Sequence, residues 1–181
     1  MREIALHIMD IAENGIAAGA DCIHIFVDEA VRENQLKIEI RDNGRGIPPE
    51  ILEKVTDPFV TSRTTRRVGL GLSLLKAAAE RCEGTFAIES QVGKGTRTSA
   101  GFRYDHIDRS PLGDIAGSVA LLIAGHAEVA FVYTHIINGK DFVLDTREVE
   151  KETGLSPADP MVNFHLTKSI RNALCELKSE K

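Results

Sequence analysis

A chain of 181 residues, 43% hydrophobic and 27% charged, supports one globular domain and a modest appendage. A net charge of −5 without a basic tail gives no electrostatic case for nucleic acid, and no signal peptide or long apolar run points to a membrane. Cys22, Cys82 and Cys175 are far apart and lack CxxC or zinc spacing, so free thiols in the reducing cytoplasm are expected, buried at Cys22 and Cys82.

The first predicted element is an amphipathic helix over residues 2–18. At about 100° per residue, Ile4, Ile8, Ile11 and Ala12 share one face, with Glu3, His7, Asp10 and Asn14 as a polar stripe beside it. Asp10 and Asn14 are four apart and point the same way. A carboxylate and an amide so placed can hold a hydrated magnesium ion, or can be a plain solvated face. Glu13 turns away from the stripe into solvent. Gly19 is a natural helix stop. Strands over 21–28 and 36–41 follow, with a turn at Glu33-Asn34.

The second strand runs into Arg41-Asp42-Asn43-Gly44-Arg45-Gly46-Ile47-Pro48. A carboxylate at a strand end can accept a hydrogen bond from an exocyclic amine such as that of adenine, and the two glycines let a flat ring lie against the backbone. After a short helix over 49–55 and a flexible stretch comes Val68-Gly69-Leu70-Gly71-Leu72-Ser73, opening a helix over 71–82. Glycines ahead of a helix leave its first N–H groups free to meet phosphate, although the GK[ST] ending of a Walker loop is absent. Strands over 85–91 and 96–102 enclose the turn Gly93-Lys94-Gly95, and Thr96 at the start of the second can share a water with Asp42 beneath an adenine.

Residues 104–181 read as an αββα segment without a catalytic constellation. A helix over 114–125, strands over 128–137 and 140–149 around Asn138-Gly139, and a helix over 157–177 are expected. The segment can extend the main sheet or form a dimerisation surface.

The boxes Glu13-Asn14, Asp42-x-Gly44-x-Gly46, Gly69-x-Gly71-Leu72 and Gly93-x-Gly95-Thr96, with Asp57-Pro58-Phe59-Val60-Thr61-Ser62-Arg63-Thr64-Thr65 between the middle two, stand in one particular order. Over roughly residues 1–103 the chain resembles the GHKL superfamily: DNA gyrase, the ninety-kilodalton heat-shock chaperone, sensor histidine kinases, anti-sigma-factor kinases and the MutL mismatch-repair protein. The segment Glu13-Asn14-Gly15-Ile16-Ala17-Ala18-Gly19-Ala20 looks most like MutL, and residues 57–76 look most like sensor kinases.

The resemblance implies a Bergerat-type ATP-binding fold, an α/β (α+β) sandwich whose mainly antiparallel sheet is covered by helices on one face. The ATP-binding domain would be residues 1–103, and 104–181 a C-terminal extension. It implies ATP and Mg2+ as ligands, with Asn14 on the metal, Asp42 reading the adenine amine, and Gly44, Gly46 and Ile47 at the nucleotide floor. Gly69, Leu70, Gly71 and Leu72 would face the phosphates, and Thr96 would lie near the adenine. Residues 61–68, with Thr64, Arg63, Arg66 and Arg67, would be a mobile lid whose arginine forks suit phosphates.

Asp10 stands where the ATP-hydrolysing branches carry a glutamate as general base. It is one methylene shorter and can act through a bridging water, which argues against fast hydrolysis. His106-Ile107-Asp108-Arg109-Ser110-Pro111-Leu112 resembles the phosphoacceptor box of sensor kinases. Its order relative to the ATP-binding boxes is reversed, and a plain helix start, with Ser110 as N-cap, Pro111 at the first helical position and Asp114 in the first turn, explains it more simply.

Three functions fit: a stand-alone regulatory kinase passing phosphate to a partner protein, a slow MutL-like ATPase switch governing homodimerisation or partner binding, and a non-enzymatic ATP sensor. Lys140 and Lys168 are unweighted candidates for a lysine reaching the γ-phosphate.

Overall fold

The computed structural model describes residues 3–55 and 70–179. Helix α1 (Ile4–Ala17) buries Ile4, Ala5, Ile8, Ile11 and Ala12, as its periodicity requires. Its first amides are closed from far along the chain: Ile4 and Ala5 donate to the carbonyls of Pro111 and Leu112 at 3.0 and 2.9 Å. The expected polar stripe fails at His7, which is buried. This helix packs against two other helices as well as the sheet, so its solvated arc is narrower than a two-layer expectation allows. Gly19, at φ +82°, takes the left-handed conformation that ends the helix.

Strands β1 (Cys22–Ala30) and β2 (Gln35–Asp42) pair antiparallel around a short 3-10 turn. Helix α2 is only Pro49–Leu52, shorter than expected, and α3 is Leu70–Arg81. Strands β3 (Thr85–Gln91) and β4 (Gly95–Arg103) form the expected hairpin.

The expected helix start at Ser110 and Pro111 does not form. Helix α4 (Ile115–Gly125) begins later, with the Asp114 carboxylate accepting from the Gly117 amide, because the carbonyls at 111 and 112 are engaged on α1.

Strands β5 (Ala130–Ile137) and β6 (Lys140–Asp145) turn through Asn138 and Gly139, both at positive φ as a two-residue hairpin requires. The last strand was expected to reach Val149 but ends at Asp145. The Asp145 carboxylate accepts from the Arg147 amide and starts helix α5 (Thr146–Thr153), so the segment is αββαα. Helix α6 runs Pro160–Ser179, capped by Asp159 rather than starting at Pro157.

The six strands lie in the order β3-β4-β2-β1-β5-β6. Neighbours are antiparallel except β1 and β5, which run parallel with Ile25 opposite Tyr133. Residues after 103 therefore extend the main sheet. Alternate side chains, among them Ile23, Ile25 and Val27 on β1 and Leu36, Ile38 and Ile40 on β2, are buried under the helices, giving a mixed α/β sandwich covered on one face.

Where β1 and β5 end, Glu29 is buried, accepting from His135 Nε2 at 2.9 Å and Tyr104 Oη at 3.1 Å, with Lys178 Nζ of α6 at 3.8 Å. His135 Nδ1 in turn meets the Tyr133 hydroxyl.

Candidate functional site

One cavity of about 260 Å3 opens between α1, the loop after β2, α2, α3 and the β3–β4 hairpin. It is lined by Asn14, Asp42, Gly46, Ile47, Leu72 and Thr96 from the expected set, and also by Ile11, Gly15, Arg45, Lys54, Ile88 and Thr98. Apolar walls around a few convergent polar groups are the pattern of a small-ligand site.

Asp42 ends β2 opposite Thr96 on β4 and lies directly under α1. A Cβ at Gly15 would come within 2.7 Å of the Asp42 Cβ, so the small residue lets helix and strand end meet. Asp42 Oδ1 accepts from the Gly44 amide at 2.9 Å, which is how Gly44 serves the site without lining the cavity. Burial pushes the Asp42 carboxyl above the ordinary carboxylate range, opposed by the Gly44 and Thr96 amides.

The loop after Asp42 is held at both ends. Asn43 Oδ1 accepts from the Asp21 and Cys22 amides at 3.0 and 3.1 Å, so this motif residue is structural. Gly46 has φ +70°, and a Cβ there would collide with the Gln91 carbonyl oxygen. That close approach brings the Ile47 amide to Ser90 Oγ at 2.8 Å.

Asp10 does not line this cavity. It lies beside it on α1, solvent-accessible, where a Cβ on Gly71 would be 3.2 Å from the Asp10 Cβ and 3.3 Å from Oδ2. The start of α3 therefore sits against the Asp10 carboxylate. Partial burial and the neighbouring Glu13 raise the Asp10 carboxyl above its ordinary range. Glu13 itself is exposed and bonds to His126 at 2.9 Å.

Leu70 is the first residue of α3. Thr64, Arg66 and Gly69, with Arg63, Arg67 and the rest of the expected lid, lie outside the described residues. No group of three or more metal-ligating side chains is present among the described residues. No helix among them is long and apolar enough to cross a membrane. Of the cysteines, Cys82 is buried as expected, while Cys22 is only partly so because it lies on the uncovered face of β1.

Three polar residues escaped the sequence motifs. Lys54 and Thr98 lie on the cavity wall, and Ser90 lies behind it, bonded to Thr96 Oγ1 at 2.9 Å. The available signal for Thr98 and Ser90 was the period-two alternation of β3 and β4, which puts residues 88 and 90 and residues 96 and 98 on the covered face.

His106 is in the loop after β4, at the opposite end of that strand from Thr96. Lys140 opens β6 beyond the turn that follows β5.

The sequence model of the histidine kinase-, DNA gyrase B- and HSP90-like ATPases matches residues 2–106. A probable C4-dicarboxylate sensor kinase of Halalkalibacterium halodurans is 41% identical over 78 residues, 42% of this chain and 14% of that kinase. Sporulation kinase D of Bacillus subtilis is 32% identical over 92 residues, 51% of this chain and 18% of the kinase. The chain thus corresponds to a small part of these curated relatives.

Among solved structures, the N-terminal domain of a DNA repair protein superposes with TM-score 0.58 at 17% identity, over 81% of this chain and 53% of that one. The Aquifex aeolicus MutL ATPase domain complexed with ADP gives 0.51 at 14% identity, over 86% of this chain and 70% of that one. These likenesses establish the fold. With the family match covering more than half of its residues, the chain belongs to the histidine kinase-, DNA gyrase B- and HSP90-like ATPase family.

Proposed function

We propose that this chain binds ATP with magnesium and acts as a regulatory protein kinase on a partner protein. The observation that carries the nucleotide reading is the Asp42 carboxylate in a largely apolar cavity that Asn14 of α1 and Leu72 of α3 also line. In this reading the adenine lies between Ile47, Ile88 and Leu72 with its amine on Asp42, and the phosphates run toward Gly71. Asn14 offers an amide oxygen to the metal, which when bound neutralises phosphate charge. Asp10, its proton affinity raised, accepts a proton from the attacking hydroxyl or water.

In this reading the acceptor is in trans, which agrees with His106 lying beyond β4 at the end remote from Thr96, roughly 25 Å along the strand at about 3.3 Å per residue. The kinase reading rests on sequence likeness to sensor kinases over 78 and 92 residues of this chain.

A second reading, an ATPase switch governing self-association or partner binding, has one observation in its favour. Likeness to the MutL ATPase domain covers 86% of this chain, more than the family match spans, and so takes in part of the C-terminal segment. In both readings residues 1–103 hold the nucleotide and 104–181 buttress α1.

The test is calorimetry with ATP, ADP and magnesium on the wild type and Asp42→Asn, with phosphate release and partner labelling followed on the same samples. Loss of a charge-assisted hydrogen bond worth about 1.5–3 kcal/mol weakens ATP binding by roughly ten- to a hundredfold in the variant. Wild type that does not bind ATP refutes the reading. Label on a partner supports the kinase, and free phosphate without labelled protein supports the switch.

A further inference from the structure

Ser90 has more hydrogen-bonding contacts than a serine at a plain hairpin needs, and its proton inventory is decisive. Its oxygen accepts from the Ile47 amide at 2.8 Å. Its hydroxyl lies 2.9 Å from the Gly95 carbonyl, which can only accept, and 2.9 Å from Thr96 Oγ1. A serine hydroxyl has one proton and two lone pairs. The one arrangement that satisfies all three contacts sends the serine proton to Gly95 and makes Thr96 donate to Ser90. Thr96 then has no proton left for the cavity and turns only lone pairs toward it. Beside it, the Asp42 carboxylate is also an acceptor.

From this wiring we infer that Ser90 is a positioning residue that sets base specificity: it fixes the Thr96 hydroxyl as an acceptor, so that this end of the cavity admits a base presenting an amine and rejects one presenting a carbonyl. Ser90 does this from behind, without lining the cavity itself. A base with a carbonyl in place of the amine would set its oxygen against the lone pairs of Thr96 and Asp42, and a buried polar mismatch of that kind discriminates strongly. The inference rests on the nucleotide reading above and adds to it the origin of selectivity between adenine and hypoxanthine or guanine.

The experiment measures the ratio of ATP to ITP affinity, since ITP carries a carbonyl where ATP carries the amine. Wild type is expected to prefer ATP. In Ser90→Ala the Thr96 proton is released to rotate into the cavity and donate to the ITP carbonyl, so the preference falls by about five- to tenfold, the worth of one hydrogen bond. Ser90→Thr, which keeps the hydroxyl, is expected to retain the preference.

A purely structural role for Ser90 would weaken both nucleotides in parallel, and an unchanged ratio in Ser90→Ala overturns the inference. Thr96→Val, which removes the lone pairs and leaves Ser90 in place, should also lower the ratio; a full preference in that variant overturns it even where Ser90→Ala does not fold. Wild type that binds ATP and ITP equally refutes the wiring alone, whereas wild type that binds neither refutes the nucleotide reading beneath it.

Discussion

His7 makes the stability of this protein fall steeply as pH drops through the range in which histidine ordinarily titrates. It is only 3% exposed, and its Nδ1 has no hydrogen-bond partner among the described residues. Burial lowers its pKa from 6.5 to about 4. The unfolded chain takes up this proton below pH 6.5, while the folded chain refuses it until about pH 4, so the unfolded state gains relative stability throughout that window. At about 1.4 kcal/mol per pH unit, the gap amounts to roughly 3 kcal/mol, a large fraction of the stability of a small domain. Asp10 and Asp42 act in the opposite sense. Their raised carboxyls bind protons more readily in the folded state, which offsets part of the loss near the acid end of the window. Urea titrations at half-unit steps between pH 4 and 7.5, on wild type and His7→Leu, isolate the effect. His7→Leu should be more stable at every pH, because an unpaired polar group leaves the core, and its stability should lose most of the slope between pH 6.5 and 4. Equal slopes in the two proteins would refute the assignment.

Asp10→Ala should keep ATP affinity within a few-fold while phosphate transfer or release drops by about a hundredfold or more, the contribution of a general base; activity retained in single-turnover assays would remove Asp10 from the chemistry. Glu29→Ala should cost about 2–5 kcal/mol in chemical denaturation, because it strands the donors of buried His135 and half-buried Tyr104, at about 1–3 kcal/mol for each donor left unsatisfied. Glu29→Gln, which keeps an acceptor, should cost about 1–2 kcal/mol. Although burial opposes its charge, His135, Lys178 and Tyr104 hold the Glu29 carboxyl below its ordinary 4.5. Its contribution is therefore complete above pH 4.5 and lost as pH falls further. Acid titration of Glu29→Gln should lack that final loss.

The boxes of the nucleotide site were legible because each rests on short-range geometry. Asp42 is at a strand end, Gly46 must have positive φ, and Asn14 follows Asp10 by one helical turn; these facts survive in any context that forms the local element. The hairpin at Asn138-Gly139 was legible for the same reason. His7 was misread because a helical wheel shows which side chains share a face but not how many neighbours cover it. The overlong last strand was misread because the Asp145 cap competes with a β pattern whose alternation continues past it.

By itself the sequence determined the family, the covered-face sandwich and, among the polar groups of the cavity, Asn14, Asp42 and Thr96, since these follow from residue type and spacing. Only the tertiary structure decided that β5 lies parallel to β1 and extends the main sheet, that the carbonyls of Pro111 and Leu112 close the start of α1, and that Ser90 holds the proton of Thr96. Each of these is a pairing between residues whose separation along the chain says nothing of their separation in space. They are settled by which strand edges and unsatisfied donors remain when the core has closed.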